Sequence, residues 1–205
     1  MTNISRKKKI GVMGSASGPI LERQKASAKA QEVGKAIAER DCILITGACP
    51  GLPHEALKAA KAAGGFTMGV SPAFSHHEHT VEYKSPDDNF DVLLYTSMGF
   101  MERDIVNIRA SDGLLFLGGG VGTLNEFTVA YEEGKPIAIL EGIGGVVAHV
   151  KEILAWCDRP LKPNIVFSED PLELVDLLLK AIEKYPTPIH EDGRVTDVKF
   201  GKLRG

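Results

Sequence analysis

The sequence predicts an α/β fold of the doubly wound, Rossmann-like kind, a mostly parallel sheet with helices on both faces. Two observations carry that expectation. Short apolar runs alternate with segments of helical period from one end of the chain to the other, the pattern of repeated strand–helix–strand units. The runs are also continuous, as in CILITG (42–47), GLLFL (113–117) and PIAIL (136–140). A strand that is apolar at every position is buried on both faces, as parallel strands are.

KKIGVMG (8–14) is the first strand, followed by the loop SASG. From Glu22 to Arg40, Ala26, Ala30, Val33 and Ile37 recur at steps of three and four and make an amphipathic helix. CILITG is the second strand. Pro53 then sits where a first helical turn tolerates it, and the helix runs to Ala63, where Gly64-Gly65 stops it. FTMGVS (66–71) is the third strand. Residues 72–90 break the rhythm and read as a long excursion with one short strand. FDVLLYT (90–96) returns to the sheet, and a helix from Ser97 to Ala110 turns Met98, Met101, Ile105 and Ile108 inward. GLLFL, the loop GGGVGTLNE (118–126) and a helix ending at Glu133 follow. PIAIL, a helix from Val146 to Cys157 with Trp156 in the core, NIVFS (164–168) and a helix from Pro171 to Lys184 complete the series. One domain over 8–185 is expected, between an N-terminal tail (1–7) and a polar C-terminal tail (186–205).

Composition narrows the function. The 205 residues are 43% hydrophobic and 25% charged, values of an ordinary globular chain. A net charge of −3 gives no basic field, so no nucleic-acid partner is expected. No apolar run approaches the ~18 residues of a membrane span. MTNISRKKKI carries no apolar stretch behind its basic residues, so no secretory leader is read. Cys42, Cys49 and Cys157 are scattered, with no CxxC pair. That suits a reducing, cytoplasmic location and gives no metal site. The histidines of HHEH (76–79) lack helical spacing and read as a solvated loop.

Chemistry concentrates at the glycine loop. A helix opening behind Gly118–Gly122 offers backbone N–H groups without internal partners, and its dipole adds positive potential. Glycines let an anion approach that backbone closely, which makes phosphate the natural guest. No P-loop is present, because GxxxxGK[ST] requires a lysine. Thr123 and Glu126 equally spell the T-x-x-E of a capping box, and both readings stand at this level. GSASG (14–18) and GACPG (47–51) end the first two strands on the same rim, adding Gly14, Ser15 and Gly47 to a nucleotide-sized site. Neither is a G-x-G-x-x-G fingerprint, and no acid ends the second strand, so a dinucleotide oxidoreductase is not expected. Arg103 and Asn107 lie one turn apart on the helix before the loop. Arg103 is placed to reach a phosphate or to pair with Glu126. The helix dipole is expected to keep Glu126 ionised at pH 7.

Met101-Glu102-Arg103 followed by GGVGTLNE (119–126) resembles the paired motifs of the LOG (LONELY GUY) proteins, the family also labelled "possible lysine decarboxylase". The strand order, the GSASG loop and GGFTMGVSP match as well, so that the resemblance covers about residues 8–180. The pattern PGGxGTxxE is met except that Gly118 replaces proline, and Asp104 stands where lysine is usual. These departures lean towards the molybdenum-cofactor-carrier relatives. The resemblance implies a phosphoribohydrolase that removes the base from a nucleoside 5′-monophosphate, leaving ribose 5-phosphate, without a metal or other cofactor. It makes Arg103 and Glu126 catalytic, Gly119, Gly120, Gly122 and Thr123 phosphate binders, and Glu102 and Asn107 accessory. It also implies a homodimer or higher homo-oligomer. The alternative it carries is a non-catalytic carrier of a nucleotide or a pterin phosphate. Lysine decarboxylation is not expected, because Lys25, Lys29, Lys58 and Lys61 fall on polar helix faces instead of in a desolvated pocket.

Overall fold

The structure, a computed structural model, describes residues 6–19 and 24–186. Its strands are β1 (Lys9–Gly14), β2 (Ile43–Thr46), β3 (Phe66–Ser71), β4 (Val92–Tyr95), β5 (Gly113–Leu117), β6 (Ile137–Leu140) and β7 (Ile165–Ser168). Its α-helices are α1 (Gln24–Glu39), α2 (Leu52–Ala62), α3 (Gly99–Ala110), α4 (Val121–Glu132), α5 (Val150–Trp156) and α6 (Pro171–Lys184). All seven strands lie in one parallel sheet of order β4-β3-β2-β1-β5-β6-β7. The order reverses between β1 and β5, so their carboxyl ends open a crevice at the switch point.

Strand alternation sends β5 into two cores. Leu115 and Leu117 pack with Ala30, Val33 and Ile37 of α1, Ala56 of α2 and Leu174 of α6. Leu114 and Phe116 pack with Ile108 of α3, Phe127 and Tyr131 of α4 and Leu154 of α5. Helices therefore cover both faces, and the fold is doubly wound and Rossmann-like. Asp170 caps α6 through its carboxylate, which accepts from the amides of Leu172 and Glu173. Gly64, at φ +81°, ends α2 as expected. The start of the α1 pattern (22–23) and both expected tails, apart from Arg6, Lys7 and Pro186 at their inner ends, lie outside the described residues.

Sequence expectations are corrected at three places along the chain. The excursion holds no strand but a π-helical turn at Glu78–Glu82. His79 within it is fully buried, whereas His76 and His77 are exposed. Pro86 offers only a carbonyl, so His79 Nε2 donates to it at 2.8 Å, and Nδ1 accepts from Ser71 Oγ at 2.9 Å. This histidine pins the excursion to the end of β3. The expected helix after β6 opens as a 3₁₀ turn (Val146–His149), and Trp156 at its end is 79% exposed instead of core. Helix α3 buries Arg103, Asp104, Asn107 and Ile108, while Met98 and Met101 face outward. Its inward face is polar because it borders the crevice.

Candidate functional site

The crevice at the switch point is a cleft of ≈ 360 Å³, at the small end of the roughly 300–1,000 Å³ typical of small-molecule sites. It is lined by the ends of β1 and β2, the start of α4 and the buried face of α3. Ser15 ties its three loops together. Its amide donates to Leu117 O at 3.1 Å, its carbonyl accepts from Leu52 N at 2.9 Å, and its hydroxyl accepts from Gly119 N at 2.7 Å. A second glycine turn braces the loop from behind. Gly119 O accepts from Val146 N at 2.8 Å, and a Cβ on Gly145 would stand 2.5 Å from the Gly118 carbonyl carbon.

Helix α4 begins at Val121, with Gly120 as its N-cap and no side-chain cap. Thr123 is thus the third helical residue, and the capping box does not form. Among the described residues the amides of Val121, Gly122 and Thr123 have no hydrogen-bond partner, the ordinary condition of a helix start and the basis of anion binding there. A Cβ on Gly120 or Gly122 would meet nothing within 4 Å, so both leave open space towards the cleft. Gly119, at φ +91°, has another reason: a Cβ there would stand 2.3 Å from Thr123 Cβ. Gly14 likewise allows the close approach of β1 to Leu117 O, 2.3 Å from a Cβ.

Arg103 reaches the floor of the cleft and is 4% exposed. Its Nη1 lies 3.4 Å from Asp104 Oδ1, and its Nη2 donates to Cys49 Sγ at 3.7 Å. Gly47 makes this possible, because a Cβ there would stand 2.0 Å from Nη1. Gly47 is therefore room for a guanidinium. Gly47→Ala is expected to fold and to lose about 10²-fold in turnover or ligand affinity by displacing Arg103. Calorimetry and initial rates on the same preparation check both halves.

Glu126 also lines the cleft and is 8% exposed. Among the described residues nothing hydrogen-bonds its carboxyl. Burial, then the neighbouring Asp104 charge, pushes its pKa up to about 8 against the pull of Arg103. The expectation of an ionised Glu126 at pH 7 is overturned, since desolvation outweighs the helix dipole. Burial also raises Asp104, opposed by Arg103 and by the hydrogen bond from Asn125 Nδ2 at 3.2 Å. The Cys49 thiol is pushed up by burial.

The structure thus brings Gly14, Ser15, Gly47, Arg103, Gly120, Gly122, Thr123 and Glu126 to one cleft, with Gly119 just beneath. It does not bring Glu102, which is exposed on the outer side of α3, nor Asn107, which is buried against Met13 Sδ at 3.4 Å. Asp104, singled out in the sequence only as a departure from the motif and given no role among the site residues, is a group of the cleft. No cluster of metal-ligand type occurs among the described residues, and no helix among them is long and apolar enough to cross a membrane.

A Mycobacterium tuberculosis protein named cytokinin riboside 5′-monophosphate phosphoribohydrolase is 34% identical over 144 residues, 67% of this chain and 72% of its own length. The molybdenum cofactor carrier protein of Chlamydomonas reinhardtii superposes with a TM-score of 0.68 at 30% identity, covering 87% of this chain and 99% of the carrier. The molybdenum cofactor binding protein of Rippkaea orientalis gives 0.69 at 25% identity, covering 86% and 98%. The SLOG cluster4 family model matches residues 7–171, from the first strand through the glycine loop to the opening of α6. By that match the chain belongs to the SLOG cluster4 family.

Proposed function

We propose that the protein is a nucleoside 5′-monophosphate phosphoribohydrolase, cleaving the N-glycosidic bond to give free base and ribose 5-phosphate. One observation carries the reading: a guanidinium and an unpartnered carboxyl, from two helices, converge on a cleft beside the free amides of a helix start. The phosphate sits on the amides of Val121, Gly122 and Thr123, which puts the sugar against Glu126. The base lies towards the apolar mouth formed by Phe100, Met101 and Val121. Cleavage passes through an oxocarbenium-like state, which needs a group to serve the leaving base and a cleft that positions water. Incubation with AMP, GMP, CMP and UMP, followed by chromatography, is expected to release free base above the Glu126→Ala background. No release from any of them overturns the reading.

A carrier role is the second reading. It is favoured by the pairing of Arg103 with Asp104 instead of with Glu126 and by the names of the two solved relatives. Tight binding of a phosphorylated ligand recovered unchanged would support it. In either case the protein pairs with a second copy. Met98, Phe100, Met101 and Val121 expose an apolar strip along α3 and the start of α4, with Val121 85% exposed, and such a strip marks an interface. Sedimentation is expected to give twice the mass of one chain, and Met101→Glu to give the monomer.

A further inference from the structure

Among the described residues the cleft is lined by one cation and two carboxyls. Arg103, Asp104 and Glu126 all line it, and each is at least nine-tenths buried. Asp104 has taken both partners on offer: Oδ1 lies 3.4 Å from Arg103 Nη1, and Oδ2 accepts from Asn125 Nδ2. Glu126 has neither.

Among the described residues the other elements around α4 bring no further charged side chain to the cleft. Cys49, from the loop after β2, is the one additional titratable group in the cleft among the described residues, and burial holds its thiol neutral. On β1, Lys9 lies at the opposite end of the strand, bonded to Asp112. Strand β5 carries no titratable residue. His149 of the 3₁₀ turn lies 3.7 Å from Glu152.

We propose that Asp104 and Glu126 share a single proton in this cleft, and that Asp104 is a positioning residue that keeps Glu126 an acid, able to protonate the base as it leaves the sugar. Two buried carboxylates beside one guanidinium would leave one anion uncompensated, and taking up a proton removes that cost. The direction of both carboxyl shifts agrees. The identity of the leaving group rests on the phosphoribohydrolase reading; the shared proton does not. In the step, the C1′–N bond breaks with its electron pair going to the base nitrogen, which receives the Glu126 proton. Water adds its oxygen to C1′ and releases a proton. That proton returns to the carboxyl pair, which ends the turnover with the one proton it began with.

Carbon-13 NMR on protein with carboxyl-labelled glutamate reads the charge directly, the Glu126 signal being assigned by its loss in Glu126→Gln. Wild type is expected to titrate near 8. Asp104→Asn is expected to lower that midpoint by about one unit or more, because it removes the like charge and frees Arg103 for Glu126. Asp104→Ser has the same expected outcome and serves if the asparagine variant does not fold. A wild-type midpoint near 4.5, or an unmoved one in a folded variant, overturns the proposal. In the activity arm, base release from AMP falls as pH rises through the wild-type midpoint, and the fall moves to lower pH with Asp104→Asn. Shifted midpoints with no base release from any nucleotide sink the enzymatic reading alone and leave Asp104 in control of the Glu126 proton.

Discussion

Glu126→Gln is expected to lower the proposed base release by about 10²-fold or more and to make the protein more stable at alkaline pH. The second half follows from burial. In an unfolded chain a glutamate titrates near pH 4.3, whereas in the fold Glu126 is raised to about 8. Between those values the folded state holds a proton that the unfolded state has released. Raising the pH therefore destabilises the fold, with no cost below the lower value and the full cost above the upper one. At about 1.36 kcal/mol per unit the shift amounts to a few kcal/mol. Glutamine has no proton to exchange and escapes that cost. For a chain of this size each kcal/mol moves the melting temperature by about 2–4 °C. Calorimetry at pH 5, 7 and 9 is expected to give two profiles that separate as pH rises, the variant above. Parallel profiles would show that the carboxyl is not held neutral. Gain of stability with loss of activity is the mark of a group kept for function at the expense of folding.

Much of this site is legible in the sequence, and the part that is not has a physical cause. Continuous apolar runs such as Gly113–Leu117 announce a parallel sheet, and the glycines that follow mark its open rim. The rim determines the crevice, because strand order reverses between β1 and β5. Periodicity fails on α3. Met98, Met101, Ile105 and Ile108 form a true stripe, yet its outer members face away from the sheet and only Ile108 is fully buried. A hydrophobic pattern reports only which side chains are apolar, and an apolar face left exposed looks the same in the sequence as one packed against a sheet. The T-x-x-E pattern fails for a related reason. Gly120 lets the chain enter α4 three residues before Thr123, which leaves Glu126 one turn deeper and buried. The charge of Glu126 is beyond any local pattern, because it depends first on burial in the cleft and then on Asp104, a residue from another helix.

Arg103→Ala is expected to cost about 3–5 kcal/mol of stability, the penalty for leaving a buried charge without its partner. The guanidinium is 4% exposed, lies 3.4 Å from Asp104, and occupies space that Gly47 leaves free. Its removal strands Asp104 and opens a void over Gly47. Two causes are thus mixed in one number, and the double variant Arg103→Ala, Asp104→Ala separates them. If the stranded charge dominates, removing Asp104 as well recovers a large part of the loss. If the void dominates, the second substitution adds its own cost and nothing returns. Urea unfolding of wild type, both single variants and the double variant measures the coupling, provided that the slope with denaturant is unchanged. Recovery is the expected outcome, because Arg103 then stabilises the fold chiefly by neutralising an acid that an apolar core would never retain. That acid is there for the cleft: it occupies the guanidinium, leaves Glu126 unpaired, and so fixes which of the two carboxyls carries the proton. Full additivity would assign Arg103 a packing role against Gly47 and Cys49, and would remove the charge balance from which the acidity of Glu126 is argued.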